Sequence, residues 1–102
     1  MKDIKEYIIE STKDEDIEYE IGLALKDFGN ERNGFKYAKE EDIKDALYKA
    51  GFDYDEENSN EDYMMFVGDY LDSKYEVELY IKDKSGNKVQ IKHFNVFEVW
   101  KP

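Results

Sequence analysis

The stretch Tyr75-Glu76-Val77-Glu78-Leu79-Tyr80-Ile81-Lys82-Asp83-Lys84-Ser85-Gly86-Asn87-Lys88-Val89-Gln90-Ile91 decides the fold class. Tyr75, Val77, Leu79 and Ile81 alternate with Glu76, Glu78, Tyr80 and Lys82, the period of two that marks a strand buried on one face. Asp83 to Asn87 are turn residues, so a β-hairpin is expected. A five-residue loop would pair Ile81 with Val89 and Leu79 with Ile91 and set Glu78 opposite Lys92. The second strand runs on toward Trp100. Its apolar residues change parity at His93-Phe94 and again at Val96-Phe97, which predicts a bulge or bend at those points. Tyr63 to Val67 reads as a third strand.

Upstream of this region the period changes to 3.6. Thr12-Lys13-Asp14-Glu15 has the spacing of a capping box, in which the Thr12 oxygen accepts from the third helical amide and Glu15 reaches back. Ile17, Ile21, Ala24, Leu25 and Phe28 then fall on one helical face, and Gly29-Asn30 can end the helix in a left-handed conformation. Glu40 to Ala50 reads as another helix, with Ile43, Ala46, Leu47 and Ala50 inward. Gly51 stops it, and Phe52 is placed to fold back onto Leu47 in a Schellman motif. Met1 to Glu10, with Ile4, Tyr7 and Ile8, fits a short third helix; a strand through Tyr7-Ile8-Ile9 competes with it. Gly29 to Gly34 is a loop by composition. Six of the ten residues from Asp53 to Asp62 are acidic, which predicts an exposed connection.

These elements predict an α+β fold, with about three N-terminal helices packed on a C-terminal antiparallel sheet of about three strands that ends in the hairpin. At 102 residues the chain suits one domain: 1–52 mainly helical, 53–62 an acidic loop and 63–102 mainly β. The charged N-terminus lacks an apolar signal region and no run is long enough to span a bilayer, so a cytoplasmic protein without membrane contact is expected.

Composition narrows the chemistry. The absence of Cys removes disulfides, thiolate metal sites and thiol nucleophiles. His93 is the lone imidazole; in the expected register it sits near Val77, where a core or sheet-edge histidine is a better reading than a catalytic base. Asp53, Asp55 and Glu57 alternate like the first ligands of an EF-hand, but Asn58 and Met64 stand where that loop needs Gly and a bidentate Glu. The six glycines are too scattered to cradle phosphate. No catalytic residue, cofactor or metal is expected, and the chain reads as a non-enzyme.

The strongest remaining signal is charge. The chain carries a net −11. Residues 1–70 hold 21 Asp/Glu against 9 Lys/Arg, whereas residues 71–102 hold 5 against 6. Such a balance disfavours direct binding of nucleic acid or anionic lipid. A helix-turn-helix reading fails too, because the second helix would offer Glu41, Asp42 and Asp45 to phosphate. A helical wheel places Asp16, Glu20 and Asp27 on one flank of the first amphipathic helix, and Glu15, Tyr19 and Leu23 opposite its core stripe. Carboxylates at i and i+4, about 6 Å apart, match the order of phosphate spacing on a nucleic-acid strand.

Glu15, Asp16, Tyr19, Glu20, Leu23, Asp27, Glu41, Asp42 and Asp45 are therefore the expected partner-binding residues. Asp53, Asp55, Glu56 and Glu57 join them as a steering cluster. The expected partner is a basic protein, a nuclease or another nucleic-acid-binding protein, whose nucleic-acid site is occupied by these carboxylates. In size and charge the chain is similar to small acidic anti-defence proteins of phages, some anti-CRISPR proteins among them, with no motif in common. An immunity or antitoxin protein covering a basic nuclease toxin, or a small phage structural or assembly protein, are the alternative readings.

Overall fold

The computed structural model describes residues 15–70 and 73–100, for Trp100 the backbone only. Among these residues are two helices, not three, and just over half of the residues are strand. Helix α1 covers residues 15–24 and α2 covers Glu40–Lys49. Strands β1 (Gly29–Asn30) and β2 (Gly34–Phe35) make a small hairpin. The main sheet is antiparallel, with the order β3-β7-β6-β5-β4. Its strands are β3 (Tyr37–Lys39), β4 (Asp53–Tyr54), β5 (Tyr63–Tyr70), β6 (Ser73–Ser85) and β7 (Lys88–Trp100). The expected three helices on a three-stranded sheet are thus corrected to a sheet-dominated fold. The expected segment Met1 to Glu10 and the Thr12 cap lie outside the described residues.

Four short strands lie where no strand was expected. Gly29 to Gly34 closes β1 onto β2 through a three-residue loop, in which the Asn33 amide donates to Asn30 Oδ1 at 2.7 Å and Gly34 takes φ +88°. Tyr37–Lys39 adds to the β7 edge, and Asp53–Tyr54 adds to β5. Segments of two or three residues carry no periodicity to read, so only tertiary pairing makes them strands.

The helices follow their sequence pattern. Ile17 and Ile21 are buried on the inner face of α1, with Leu25 buried just beyond its end, and Ile43 and Leu47 on that of α2. Lys39 gives α2 no side-chain cap; its first turn is instead satisfied by the Glu40 amide donating to Asn87 O at 3.0 Å and by the acidic Glu40, Glu41 and Asp42. At the other end Gly51 takes φ +97°, its amide donates to Tyr48 O, and the Phe52 amide donates to Leu47 O at 2.8 Å. That is the Schellman pair, and it seats Phe52 in the core beside Leu47.

The hairpin register differs from the expected one. A two-residue primed turn at Gly86-Asn87, with Gly86 at φ +62°, pairs Ser85 with Lys88 and Lys84 with Val89. Leu79 therefore faces Phe94, Ile81 faces Ile91 and Glu78 faces Asn95. Two bulges make this compatible with burial: Lys82 is extra on β6 and Lys92 is extra on β7, so the register slips and then returns. Between them Ile81 and Ile91 turn inward together, and Ile91 and Val89 reach the core. The bulge expected at His93-Phe94 thus falls one residue earlier. Val96 keeps its inward parity and Phe97 stays outward, the next irregularity lying beyond Glu98. One continuous core joins Ile17 and Ile21 of α1, Leu25 just after it, Ile43 and Leu47 of α2, and Phe66, Tyr75, Val77, Leu79, Val89 and Ile91 of the sheet. Among the described residues no helix is long and apolar enough to cross a membrane.

Candidate functional site

Burying Ile17, Ile21 and Leu25 forces the other side of α1 into solvent. Residues 15–24 hold four carboxylates and no base, and Glu15, Asp16, Tyr19, Glu20 and Leu23 are all exposed. After residue 24 the chain tightens through Phe28 N to Leu25 O at 2.9 Å and Gly29 N to Lys26 O at 3.3 Å. This turn carries Asp27 toward α2. There Ala24, Asp27 and Phe28 face Asp42, Asp45, Ala46 and Lys49 across a groove of about 340 Å³. Three of the expected carboxylates, Asp27, Asp42 and Asp45, thus line one depression with an apolar floor. Glu41 is exposed on α2 but does not line it.

The remaining expected residues are distributed elsewhere. Tyr19 and Leu23 line a second, more apolar depression of about 330 Å³ with Gly22, Lys26, Gly29 and Asn30. Asp16 accepts a hydrogen bond from the Tyr70 hydroxyl at 3.2 Å, so the first part of that flank faces the end of β5 rather than the groove. Lys49 was missed as a groove residue; its i+4 spacing from Asp45 is the signal that could have found it. It places one cation at an otherwise acidic lip.

The acidic loop is folded, not a loose connection. Asp55 N donates to Met65 O at 2.8 Å, the Ser59 hydroxyl donates to Asp55 O at 2.7 Å, and Met65 N donates to Ser59 Oγ at 2.8 Å. Asn58 Nδ2 donates to Asp55 Oδ2 at 2.7 Å, and Asn60 Oδ1 accepts from the amides of Asp62 and Tyr63. Asp55 is half-buried in this turn, whereas Asp53, Glu56 and Glu57 are exposed. The loop reaches α2 through Tyr54, whose ring lies edge-on to Phe66 and has Lys44 Nζ 4.1 Å from its centroid. The carboxylates of this segment are therefore carried on an ordered turn.

Among the described residues tyrosine hydroxyls donate to carboxylates at four places: Tyr37 to Asp83, Tyr70 to Asp16, Tyr75 to Glu98, and Tyr80 to Glu78. The hydrogen bond to Asp83 pushes the Tyr37 phenol up and pulls the Asp83 carboxyl down. Tyr80 is raised first by its hydrogen bond to Glu78, and Tyr70 first by desolvation and then by Asp16. Linkage sets the signs. The depressed Asp83 contributes stability that is present above the ordinary carboxylate pKa and lost as pH falls through its lower folded value. The raised tyrosines contribute stability that is present below about 10 and lost as pH rises through their folded values. Ultraviolet titration of the folded protein should show some phenols ionising later than in urea, and Asp83→Asn should return one of them toward the ordinary value. Superimposable titrations of wild type and variant would remove the Tyr37–Asp83 pair.

His93 lies on the outer sheet face, stacked on Tyr80 at 4.6 Å between centroids, and not on the apolar face beside Val77. The bulge at Lys92 is what moves it across. Among the described residues no group of three His, Cys, Asp or Glu is disposed to hold a metal ion. Comparison of the chain with protein-family models, with curated proteins and with solved structures finds no match.

Proposed function

We propose that the chain is a binding protein that inhibits a basic, nucleic-acid-binding partner by occupying its nucleic-acid site. The observation that carries this reading is the convergence of Asp27, Asp42 and Asp45, from two separate elements, on one groove. Charge gathered in this way attracts a basic groove at long range, and Ala24, Phe28 and Ala46 of the same groove offer apolar contact area once the partner has docked. The carboxylates stand in for phosphates, and Lys49 sets a limit on how close a cation can sit to Asp45.

The test begins with partners captured from the host at low and at physiological salt, identified by mass spectrometry. A captured partner should bind nucleic acid, and the chain should displace it, with an association rate that falls as salt rises. Replacing Asp27, Asp42 and Asp45 together by Lys should slow association about tenfold or more at low salt. The same reversal of Asp69, Glu76 and Glu78 on the outer sheet face should change it much less. A partner that binds equally well with nucleic acid already in place removes the reading.

A further inference from the structure

Tyr19, Gly22, Leu23 and Lys26 line the second depression at positions i, i+3, i+4 and i+7, with Gly29 and Asn30 of β1 completing the lining. That spacing is the four-residue hole into which a side chain of a facing helix inserts when two helices pack. Tyr19 is 67% and Leu23 43% exposed, so no described residue fills it. Gly22 gives the hole its depth. The fold supplies no reason for a glycine there: its φ is not left-handed, and nothing lies within 4 Å of the place a Cβ would take. Glycine is the poorest helix former after proline, yet Gly22 sits inside α1.

We propose that this hole receives an apolar side chain from an amphipathic helix of another protein, one whose apolar stripe is flanked by Lys or Arg. The spacing of the lining selects a helix, because the knobs of a helix recur at the same three- and four-residue intervals. Charge selects the sign. On the helical wheel Glu18 lies on one flank of the stripe and Asp16 and Glu20 on the other, with Glu15 one turn before Tyr19, and all four are exposed. Lys26 stands at the opposite end of the stripe from them. A second copy of the chain would bring the same four carboxylates against these, so like-charge repulsion disfavours it as the occupant. The hole shares no residue with the groove of Asp27, Asp42 and Asp45, and the proposal does not rest on that groove.

Synthetic helical peptides of about three heptads, followed by fluorescence anisotropy with the full chain, test it. One carries Leu at a and d and Lys or Arg at e and g. A second keeps the Leu stripe with Glu in place of the basic residues, and a third has the basic composition scrambled so that no stripe forms. At about 0.15 M salt, where attraction beyond roughly 8 Å is screened, the first should bind about tenfold or more tightly than either control. Gly22→Leu fills the hole and improves helix propensity, so it should unfold at a higher urea concentration than wild type yet bind that peptide about tenfold or more weakly. Gly22→Ala should show the same split in smaller measure, whereas a purely structural glycine would move both readouts together. Backbone amide shifts on adding the peptide should centre on Tyr19, Gly22, Leu23 and Asn30. Shifts centred on Asp42, Asp45 and Lys49 would put the peptide in the acidic groove and overturn the proposal while leaving the reading of that groove intact. Equal binding of the first peptide and either control, or an affinity that Gly22→Leu leaves unchanged, overturns it too. A wild type that binds none of the three, or that sediments as a dimer which Gly22→Leu dissociates, would mean that the hole is filled from within the chain or by a second copy, and is equally fatal.

Discussion

Phe66→Ala should lower the stability of the protein by about 3–5 kcal/mol, a large share of the total of roughly 5–15 kcal/mol available to a domain of this size. Phe66 is fully buried on β5, paired with Val77 on one side and Tyr54 on the other. Its ring meets Tyr54 edge-on at 5.5 Å, so truncation also removes an aromatic contact that helps hold β4 to the sheet. The neighbour Val67 points to the opposite face and is half-buried, which makes Val67→Ala the control. Urea midpoints should separate the two variants clearly. If Phe66→Ala loses less than about 1 kcal/mol, or Val67→Ala loses as much as Phe66→Ala, the faces assigned to β5 are wrong.

Gly29→Ala should be comparably damaging, at about 2–5 kcal/mol, for a different reason. Gly29 holds φ +125°, a conformation that L side chains rarely adopt. A Cβ there would also fall on the Gly34 carbonyl oxygen and 2.8 Å from Phe35 Cα, both backbone atoms of β2. No rotamer change relieves such a contact, so the β1–β2 hairpin has to open. Gly86 provides the contrast. At φ +62° with nothing near its Cβ, Gly86→Ala should cost only about 1–2 kcal/mol. Hydrogen exchange of residues 25–37 should rise selectively in Gly29→Ala. Equal losses in the two variants would show that φ alone, and not the close approach to β2, sets the requirement for glycine.

The candidate site was half legible in the sequence. The helical wheel predicts which side of α1 faces solvent, because Ile17, Ile21 and Leu25 leave no alternative, and it identifies Asp27, Asp42 and Asp45 as exposed. Their meeting across one groove depends on how α1 and α2 pack on the sheet, which no local spacing encodes. The same packing sends Asp16 to Tyr70 and separates Tyr19 and Leu23 into their own depression. The acidic loop misled for a related reason: its composition is that of a solvated segment, yet Ser59 and Asn60 hold it to β5 through backbone bonds that charge counting does not reveal.

Local physics in the sequence determined the helix α2 with its Gly51 stop, the buried face of α1, and the alternating strand from Tyr75 to Ile81. Each of these follows from a period of 3.6 or 2, or from a φ that only glycine takes readily. The sequence likewise determined that no thiolate chemistry operates and that the acidity belongs to the N-terminal two-thirds. Tertiary structure decided the register of the hairpin, the two- and three-residue strands at the sheet edges, and the grouping of carboxylates. In the hairpin the apolar residues could be aligned either by a longer loop or by a tight turn with bulges at Lys82 and Lys92. The second solution also lets the curled hairpin tip meet β3 and the start of α2, through Asn87 and the Glu40–Lys84 ion pair at 3.2 Å. Long-range contacts of that kind are satisfied only when the whole chain is assembled, which is why the choice between the two registers lay beyond the reach of residue spacing.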